Sequence, residues 1–593
     1  MRLADYVIDK IASAGCRHVF LVTGRGALFL NDAVARTEKL EAIPMHHEQA
    51  AGYAAVAYGQ QTEELGACLI STGCGSTNAI TAALSAWQDG VPCIFISGQN
   101  ILSETTYHTK ASLRTYGQQE ANIIEIVKPI TKFAVMVENS DDIVFVVDHA
   151  IKIATTGRKG PVWIDIPLDL QSSNVNVDTR NKNEYRPKDL PSIKNIDLTL
   201  VSKLISQSRR PIAVIGHGVR SSGSEKKLRE FQKHTQIPIT YTASCPDVFA
   251  FSDDECVGSI GTLGCSRSGN FAVQNADLIL ILGNRMNSIV TGDHCSKFGR
   301  DAKIVMVDID ESEAGKDTIK IDHFIHADLG DFLDNLNALN FTPDLEEWNS
   351  QCQYWKHELP KLQVDNSDSA PVDLHALSDH LSSYLPEDST LVTDSGSIEL
   401  IFPNNFDFRV NRRAIHPSSQ GAMGFAIPAA IGSYFANSKP TYVVVGDGSI
   451  MMNLQELQTI AQFNIPITIF VINNNMYGII RKRQKELFRK RKIGVDPSTG
   501  VSSPSFKDVA NTFGFDYQFI ENIKQLHTQI TCGFKPSRPS LIEVMGLENQ
   551  LYLNTSHAKT STGQYVMRPI EDQSPFMDRD VFLKNMLIAP IDQ

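Results

Sequence analysis

The chain has 593 residues, a formal net charge of −12, 42% hydrophobic residues and 21% charged residues. This length predicts roughly three or four domains, and the composition excludes disordered, collagen-like and disulfide-scaffold proteins. The negative charge argues against a broad surface for nucleic acid.

The N-terminal segment and the cysteines bear on location. Residues 1–15 carry acids early and no long apolar run, so we expect no signal peptide. No stretch of ~18 apolar residues occurs, so we expect no membrane span. The ten cysteines form no C-x-x-C pair, which favours reduced, buried thiols over disulfides or metal ligands. The sequence therefore predicts a cytoplasmic protein.

Short apolar runs, most of them closed by glycine, recur along the chain. Their continuous apolarity is typical of strands buried on both faces of a parallel sheet, and the helical segments between them predict βαβ units. The predicted strands lie within 18–24, 67–73, 92–98, 211–218, 277–283, 303–310, 441–448 and 466–475. Two of the intervening helices are predicted at 76–88 and 453–463.

Two polar stretches, residues 171–199 and 341–372, break this rhythm and are interpreted as linkers. We therefore predict an α/β protein with three doubly wound parallel-sheet domains. Their predicted bounds are 1–180, 190–340 (Rossmann-like) and 365–560, followed by a C-terminal tail at 561–593.

The first candidate functional residue is Glu48, in MHHEQAAGYAAVAYG (45–59), where it stands among small apolar residues with a helical period. His47 and Glu48 could begin an H-E-x-x-H zinc helix, but Ala51 stands where the second histidine is required, which excludes that motif. A carboxylate in the first turn of a helix is also favoured by the helix dipole. The residues alone leave Glu48 either a functional acid or a helix-stabilising one.

The second candidate is VVVGDGS, which places Asp447 where a buried strand gives way to a turn. Ligands bind at this carboxyl edge of parallel sheets, and Gly446 and Gly448 let backbone N–H groups approach an anion. Asn474 follows the next buried strand, 27 residues later. One βαβ step thus brings carboxylate and amide oxygens to one edge, a donor set that suits Mg²⁺ shared with a diphosphate. Ser449 would offer its hydroxyl and N–H to phosphate. A lone GDG is typical of a plain tight turn, and the asparagine run at this spacing favours the metal site.

Together these motifs resemble the thiamine-diphosphate (ThDP) enzymes of the acetolactate synthase and pyruvate oxidase type. The matching segments, in the family's order, are HEQAAGYAAVAYG, STGCGSTN, ISGQ, GRKGPVWIDIP, GAMGFAIPAAIG and GDGSIMMNLQELQT with VINNN. The resemblance implies a pyrimidine-binding, a central and a diphosphate-binding domain. It also implies ThDP and Mg²⁺ as cofactors, bound between subunits of a homodimer or homotetramer.

The resemblance implies a role for each matching residue. Glu48 would be the catalytic acid that bonds the aminopyrimidine N1′ and helps the cofactor to remove its own thiazolium C2 proton. Asp447, Asn474 and the Met476 carbonyl would hold Mg²⁺. Cofactor-binding or channel-lining positions would be Gly24, Gly73, Gly75, Gln99, Ser395, Gly396, Ser397, Gly421, Met423, Gly446, Gly448, Ser449, Tyr477 and Gly478. For Gly24, a plain strand-to-helix turn explains the residue equally well.

Two segments depart from the acetolactate synthase pattern. The triplet GSI at 396–398 stands where those enzymes read GQH, which alters the side-chain contacts to the diphosphate. LGNRMNSIVTG keeps Arg285 but has Ile289 in place of the second arginine of the flavin segment, and residues 258–270 lack a Met-His-Gly element. We therefore expect no tight binding of FAD.

At these departures, and in segments 113–134, 495–515 and 568–586, the chain is similar to an acetolactate-synthase-like subgroup found with lipopolysaccharide or capsule sugar biosynthesis. That resemblance implies a 2-oxo acid donor such as pyruvate and a carbonyl acceptor such as a nucleotide-linked keto sugar. The run RKRQKELFRKRK (481–492), with eight Lys/Arg, is either a rim that recognises the acceptor's diphosphate, or a solvated helix face or subunit contact.

Other functions compete with this one. A true acetolactate synthase would use a second pyruvate or 2-oxobutanoate as acceptor, and a simple decarboxylase would protonate the product. A binding protein without turnover is disfavoured because Glu48, Asp447 and Asn474 are all present. A nicotinamide dehydrogenase is disfavoured because no G-x-G-x-x-G opens a helix.

Overall fold

The computed structural model of the chain describes residues 1–175, 198–339, 343–362, 364–365, 367–409, 411–489, 491–531, 537–560 and 563–591. Within these ranges the strands form three six-stranded parallel sheets and one short antiparallel pair. Apolar clusters lie on both faces of each large sheet. The prediction of an α/β protein with three doubly wound domains is confirmed.

The first domain is built on strands β1 (His18–Leu21), β2 (Glu41–Pro44), β3 (Gly66–Ile70), β4 (Cys93–Gln99), β5 (Phe133–Met136) and β6 (Pro161–Pro167), in the order β2-β1-β3-β4-β6-β5. Its helices are α1 (Leu3–Ser13), α2 (Leu28–Arg36), α3 (Glu48–Thr62), α4 (Cys74–Asn78), α5 (Ile80–Asp89), α6 (Thr106–Thr109), α7 (Ile123–Val127), α8 (Ile143–Thr155) and α9 (Leu168–Gln171). In β4, Ile94 and Ile96 pack on one face of the sheet and Cys93 and Phe95 on the other. Burial on both faces explains the continuous apolarity of the strand.

The central domain contains β7 (Pro211–Ile215), β8 (Ile239–Tyr241), β9 (Cys256–Ser259), β10 (Leu278–Leu282), β11 (Lys303–Asp308) and β12 (His323–His326), in the order β12-β11-β10-β7-β8-β9. Its helices are α10 (Leu198–Gln207), α11 (Gly218–Ser221), α12 (Glu225–Thr235), α13 (Arg267–Asn275), α14 (Ser288–Thr291), α15 (Leu329–Asn337) and α16 (Glu346–Glu358).

The third domain contains β13 (Thr390–Thr393), β14 (Arg413–Ile415), β15 (Thr441–Gly446), β16 (Ile467–Asn473), β17 (Asp516–Ile520) and β18 (Ser540–Met545), in the order β14-β13-β15-β16-β18-β17. Its helices are α17 (Leu374–Tyr384), α18 (Ser397–Asn405), α19 (Ala426–Asn437), α20 (Asp447–Ile450), α21 (Glu456–Gln462), α22 (Gly478–Phe488), α23 (Phe506–Phe513) and α24 (Ile523–Gln529). The chain continues through the antiparallel pair β19 (His557–Lys559) and β20 (Tyr565–Met567) to α25 (Arg579–Asn585).

The interpretation of 341–372 as a linker is wrong over α16. Trp348, Cys352 and Trp355 of this helix are buried in the core of the central domain, because their i, i+4, i+7 spacing puts them on one helical face. Of the other predicted linker, residues 176–197 lie outside the described ranges. The predicted tail is also packed, since Met577 and Phe582 join the same central core.

The first and third domains share one apolar core through α3 and α19. A Cβ atom on Gly432 would lie 2.0 Å from the carbonyl oxygen of Ala54, so the two helices touch backbone to backbone. Beside this contact, Tyr53 meets Phe425 edge to face, with ring centroids 5.2 Å apart. Helix α3 is therefore held rigidly between the two sheets.

The predictions about cysteines and membrane spans can be compared with the described ranges. All nine cysteines there are free thiols, and seven of them are buried. Cys532 lies outside these ranges. Burial raises the pKa of Cys16 to about 12, as expected for an unreactive core thiol. In the same ranges, no helix combines the length and apolarity needed to cross a bilayer.

Candidate active site

The predicted pyrimidine-side residues lie at one edge of the first sheet. Gly24 follows β1, Glu48 opens α3 after β2, Gly73 and Gly75 follow β3, and Gln99 ends β4. Because β2, β1, β3 and β4 are consecutive neighbours in a parallel sheet, their carboxyl ends share one edge. This is the edge at which ligands bind in such sheets.

Glu48 is half-buried at the first turn of α3, whose N-cap, His47, accepts a hydrogen bond from the Gln49 N–H through Nδ1 at 3.1 Å. Its Oε2 accepts a hydrogen bond from Asn78 Nδ2 at 2.9 Å. Its Oε1 lies 3.2 Å from the place that a Cβ on Gly75 would occupy, so a side chain at 75 would crowd the carboxylate. Asn78 was not predicted as a site residue, although it ends the STGCGSTN segment.

Gln99 is only 2% exposed, and its amide is fully used inside the protein. Oε1 accepts hydrogen bonds from Thr72 Oγ1 (2.7 Å) and the Asn100 N–H (3.0 Å). Nε2 donates to the Ala121 carbonyl (3.1 Å) and to Asp165 Oδ2 (3.0 Å). This residue thus ties the loops after β3 and β4 together, and lining a substrate channel stays a prediction for it.

Asp165 anchors this network from β6. Its side chain accepts hydrogen bonds from Ser97 Oγ at 2.6 Å and from Gln99, and Trp163 Nε1 in turn donates to Ser97 Oγ at 2.9 Å. Burial raises the pKa of Asp165 to about 7, and the hydrogen bonds from Ser97 and Gln99 oppose that rise.

The explanation of Gly24 as a plain strand-to-helix turn fits its surroundings, because a Cβ at this position would overlap the Ser71 side chain.

The diphosphate-side residues meet at the corresponding edge of the third sheet. Ser395, Gly396 and Ser397 follow β13, Asp447 follows β15, and Asn474 follows β16. These three strands are consecutive neighbours, and the β15–β16 register pairs Gly446 with Ile472. The edge thus gathers three turns, and each of them leads into a helix, α18, α20 or α22.

Asp447 is buried among polar groups of this edge. Its Oδ1 accepts a hydrogen bond from the Gly448 N–H at 2.8 Å, and its Oδ2 accepts one from Ser503 Oγ at 3.0 Å. Burial raises the pKa of Asp447, while hydrogen bonds from Ser503, Gly448, Asn475 and Asn474 oppose that rise. The backbone of the asparagine run therefore reaches the carboxylate. Ser503, 56 residues downstream, carries no sequence signal for this role.

The donors at this edge fit a magnesium ion. In the described ranges no group of three or more His, Cys, Asp and Glu side chains is placed to hold a metal. The predicted set needs only one carboxylate, from Asp447, with the Asn474 amide and the Met476 carbonyl, all hard oxygen ligands. Tyr477 packs its ring directly on Gly448, where a Cβ would come within 2.1 Å of it. The metal itself stays a prediction.

The GAMG turn presents Met423 between two glycines with left-handed backbone, Gly421 (φ +58°) and Gly424 (φ +82°). The Gly424 N–H donates to Ser449 Oγ at 2.9 Å, and Ser449 Oγ donates to Asp394 Oδ2 at 2.5 Å. The Ser449 hydroxyl therefore already has two partners, the Gly424 N–H and a buried acid. Contact of Ser449 with phosphate, through its hydroxyl or its backbone N–H, stays a prediction.

Asp394, at the end of β13, was not predicted although it adjoins Ser395. Burial raises the pKa of Asp394 to about 7, with hydrogen bonds from Ser449 and backbone N–H groups in opposition. Its other oxygen, Oδ1, is buried without a hydrogen-bond partner in the described part of the chain. Such a buried acid fixes the position of the Met423 turn through Ser449.

Within one chain, the start of α3 is tied to the third domain. The His46 N–H donates to Glu456 Oε1 at 3.1 Å, and Asn453 Nδ2 donates to Gln49 Oε1 at 3.3 Å. Asn453 also donates to the Gly424 carbonyl at 2.7 Å. Residues 453–456, which follow Ser449, therefore hold both the segment that carries Glu48 and the segment that carries Met423.

A cavity of about 200 Å³ lies where the three domains meet. Two arginines in its lining are already used, since Arg285 donates to Ser419 Oγ at 2.6 Å and Arg158 donates to Asp310 Oδ2 at 2.6 Å. Ile289, which replaces the second arginine of the flavin segment, is 60% exposed. These side chains do not provide the free cations that a flavin diphosphate needs, and absence of tight FAD binding stays a prediction.

Comparison with known proteins agrees with this architecture. Models of the thiamine pyrophosphate enzyme N-terminal TPP-binding, central and C-terminal TPP-binding domains match residues 1–126, 198–336 and 394–544. The chain therefore belongs to the family of thiamine pyrophosphate (ThDP) enzymes.

Within that family the similarity is to acetolactate synthase. The large subunit from Porphyra purpurea is 30% identical over 558 residues, which cover 92% of each chain. That from Lactococcus lactis subsp. lactis (strain IL1403) is 30% identical over 548 residues, covering 91% of this chain and 92% of the relative. The isozyme 1 large subunit from Escherichia coli (strain K12) is 28% identical over 552 residues, covering 93% and 95%. The protein is thus an acetolactate-synthase-like ThDP enzyme.

Proposed function

We propose that the protein is a Mg²⁺-dependent 2-oxo acid decarboxylase and carboligase that transfers an acyl group, in the first instance from pyruvate, to a carbonyl acceptor. The observation that supports this most directly is the meeting of the Asp447 and Asn474 turns at neighbouring strand ends, in the domain that matches the C-terminal TPP-binding model.

When bound, ThDP supplies a nucleophilic carbon and then accepts the electrons released as CO₂ leaves. The carboxylate of Glu48 would hold and return a proton at the aminopyrimidine ring nitrogen. Asn78 donates to one oxygen of this carboxylate and leaves Oε1 facing the glycine at position 75. The chain thus keeps one carboxylate oxygen accessible for proton exchange.

The third domain would hold the other end of the cofactor. Asp447, Asn474 and the Met476 carbonyl would bind Mg²⁺, and the backbone N–H of Ser449 would contact the phosphates, while the Gly448 N–H donates to the Asp447 carboxylate. Gly421 and Met423 would offer backbone carbonyls to the aminopyrimidine, and the Met423 side chain would pack against the cofactor rings.

We also propose a homodimer or homotetramer with its active sites at subunit interfaces. Exposed large apolar side chains next to the cofactor segments support this, since a subunit interface would remove them from water. Met451 and Met452, directly after the Asp447 helix, are 42% and 49% exposed, and Ile480, on α22, is 52% exposed. A partner subunit that covers them would also close the site to water.

Two acceptors are in competition. A nucleotide-linked keto sugar, as used in polysaccharide biosynthesis, is our first proposal, because it gives the basic run at 481–492 a function. A second pyruvate or 2-oxobutanoate, as in acetolactate synthase, is favoured by the curated relatives, which match nearly the whole chain. A simple decarboxylase would transfer no acyl group at all.

The test uses purified protein with ThDP, Mg²⁺ and labelled pyruvate. Release of labelled CO₂ reports decarboxylation, product masses with a panel of aldehydes and keto sugars report the acceptor, and acetoin formed on acidification reports acetolactate. Glu48→Gln should fold normally and lose CO₂ release and C2 proton exchange by roughly 10²–10⁴-fold, whereas the exposed Glu38→Gln should change neither. Unchanged exchange in Glu48→Gln would contradict the role of Glu48.

A further inference from the structure

A cavity of about 250 Å³ lies beside the predicted metal site and close to the lower end of the range for small-molecule pockets, roughly 300–1,000 Å³. One wall belongs to the diphosphate edge, with Ser397, Asn474 and Gly478. The opposite wall is formed by α22 and by residues 548–552, which follow β18. We name this cavity the α22 pocket.

The structure divides the basic run at 481–492 into paired and unpaired cations. The paired ones are Arg481 with Asp496 (3.1 Å) and Glu548 (3.5 Å), Arg483 with Glu486 (3.5 Å), and Lys492 with Asp496. Lys482 and Lys485 form no ion pair within the residues that the structure describes, and both line the α22 pocket. Arg481 and Arg483 therefore stabilise this segment through their ion pairs, and the two lysines supply the charge to the cavity.

The two lysines are placed to act together. They are three residues apart on α22, so they lie on the same helical face as Gly478 and Arg481. The Lys482 Nζ is 4.3 Å from the centroid of the Tyr552 ring, a cation–π contact that holds the ammonium at the pocket wall. The carboxylates that border the cavity, Glu486 and Glu548, are already paired with arginines. The cavity therefore presents a net positive charge to a ligand.

We propose that the α22 pocket binds the phosphate or diphosphate of a phosphorylated carbonyl acceptor, with Lys482 and Lys485 as the residues that determine this specificity. This inference rests on the proposed function and names the substrate class of that same site. Ammonium groups on one helical face suit an anion with several charges. Because the pocket shares Asn474 and Ser397 with the diphosphate edge, a group bound there would sit beside the cofactor.

The test is calorimetric titration of the holoenzyme, with saturating ThDP and excess Mg²⁺, with CDP and with cytidine as a probe lacking phosphate. We expect CDP and not cytidine to bind, and CDP binding to weaken at least tenfold in Lys482→Ala and in Lys485→Ala. Lys482→Arg should retain most of it, and the exposed Lys507→Ala should match the unaltered protein. The CDP affinity should also fall as salt is raised.

Several outcomes would overturn the inference. One is absence of CDP binding to the unaltered holoenzyme, and another is a CDP affinity in both alanine variants that equals the affinity of the unaltered protein. If those variants lose affinity for ThDP while keeping that for CDP, the lysines serve the cofactor's own diphosphate and the assignment is wrong. The proposed function is tested separately by CO₂ release from pyruvate, which needs no phosphorylated acceptor, so the two failures are distinguishable.

Discussion

Replacing Ser449 with alanine examines whether a buried acid positions the Met423 turn. The Ser449 hydroxyl, buried with its residue, accepts a hydrogen bond from the Gly424 N–H and donates one to Asp394. Ser449→Ala removes both contacts at once. The substitution leaves a buried N–H and a buried carboxyl without this partner, and Asp394 already has one unpaired oxygen in the described ranges.

The magnitude follows from these two contacts. A hydrogen bond to an ionised group contributes about 1.5–3 kcal/mol, and an unpaired buried N–H costs about 1–3 kcal/mol, so we expect a loss of about 3 kcal/mol. For a domain of about 200 residues this lowers the melting temperature by about 6–12 °C. The loss should be larger above pH 7 than below it, because the pKa of Asp394 is about 7 and the hydrogen bond favours the ionised form.

The assay is thermal denaturation at pH 6 and pH 8, followed by ThDP titration. We expect ThDP affinity to fall at least tenfold, because the turn that presents Met423 loses its support. The matched control is Ser383→Ala, whose hydroxyl bonds only a carbonyl of its own helix, and which should stay within about 0.5 kcal/mol. Unaltered melting and unaltered ThDP affinity in Ser449→Ala would refute this reasoning.

Three further changes give separate expectations. Asp447→Asn should weaken ThDP binding at least tenfold, and EDTA should do the same to the unaltered protein; calorimetry that shows equal affinity would exclude the metal assignment. Gly432→Ala should force α3 and α19 about 1 Å apart, because the new Cβ meets the Ala54 carbonyl, and should lower the free energy of unfolding by about 1–3 kcal/mol. Gly315→Ala, with open space around it, should leave thermal unfolding unchanged, and equal melting temperatures of the two variants would contradict the shared core. The pKa of Asp165 in the folded state is raised to about 7, so between pH 4 and 7 the folded state binds one proton more than the unfolded state. The free energy of unfolding should therefore fall as the pH rises through that window, by up to about 4 kcal/mol. Asp165→Asn should flatten this dependence, and an unchanged pH profile in that variant would contradict the role of Asp165.

The sheets were predictable because strands buried on both faces leave a plain signal. Each of the eight predicted strand runs overlaps a strand of the structure, and the carboxyl edges follow from their parallel order. The predicted helix at 76–88 is interrupted at Ala79, which joins α4 to α5. Turn residues such as Asp447 and Asn474 could be placed together because a single βαβ step fixes neighbouring strands.

Other features depend on contacts that sequence patterns do not encode. Helix α16 was missed because its polar residues outnumber the buried Trp348, Cys352 and Trp355, although their spacing was a usable signal. Ser503 reaches Asp447 only through tertiary folding, from a segment with no distinctive motif. Helical spacing could place Lys482 and Lys485 on one face, but only the structure shows that neighbouring arginines are already paired with carboxylates.

The backbone contact between Gly432 and Ala54 limits how this architecture can be recombined. Two helices that touch without intervening side chains tolerate no change of size on either surface. A chimera that takes its first domain from one relative and its third from another would need complementary small residues at both positions. We therefore expect the first and third domains, which would bind the cofactor, to be exchangeable only as a pair. The residues of α22 that line the α22 pocket can change with the substrate.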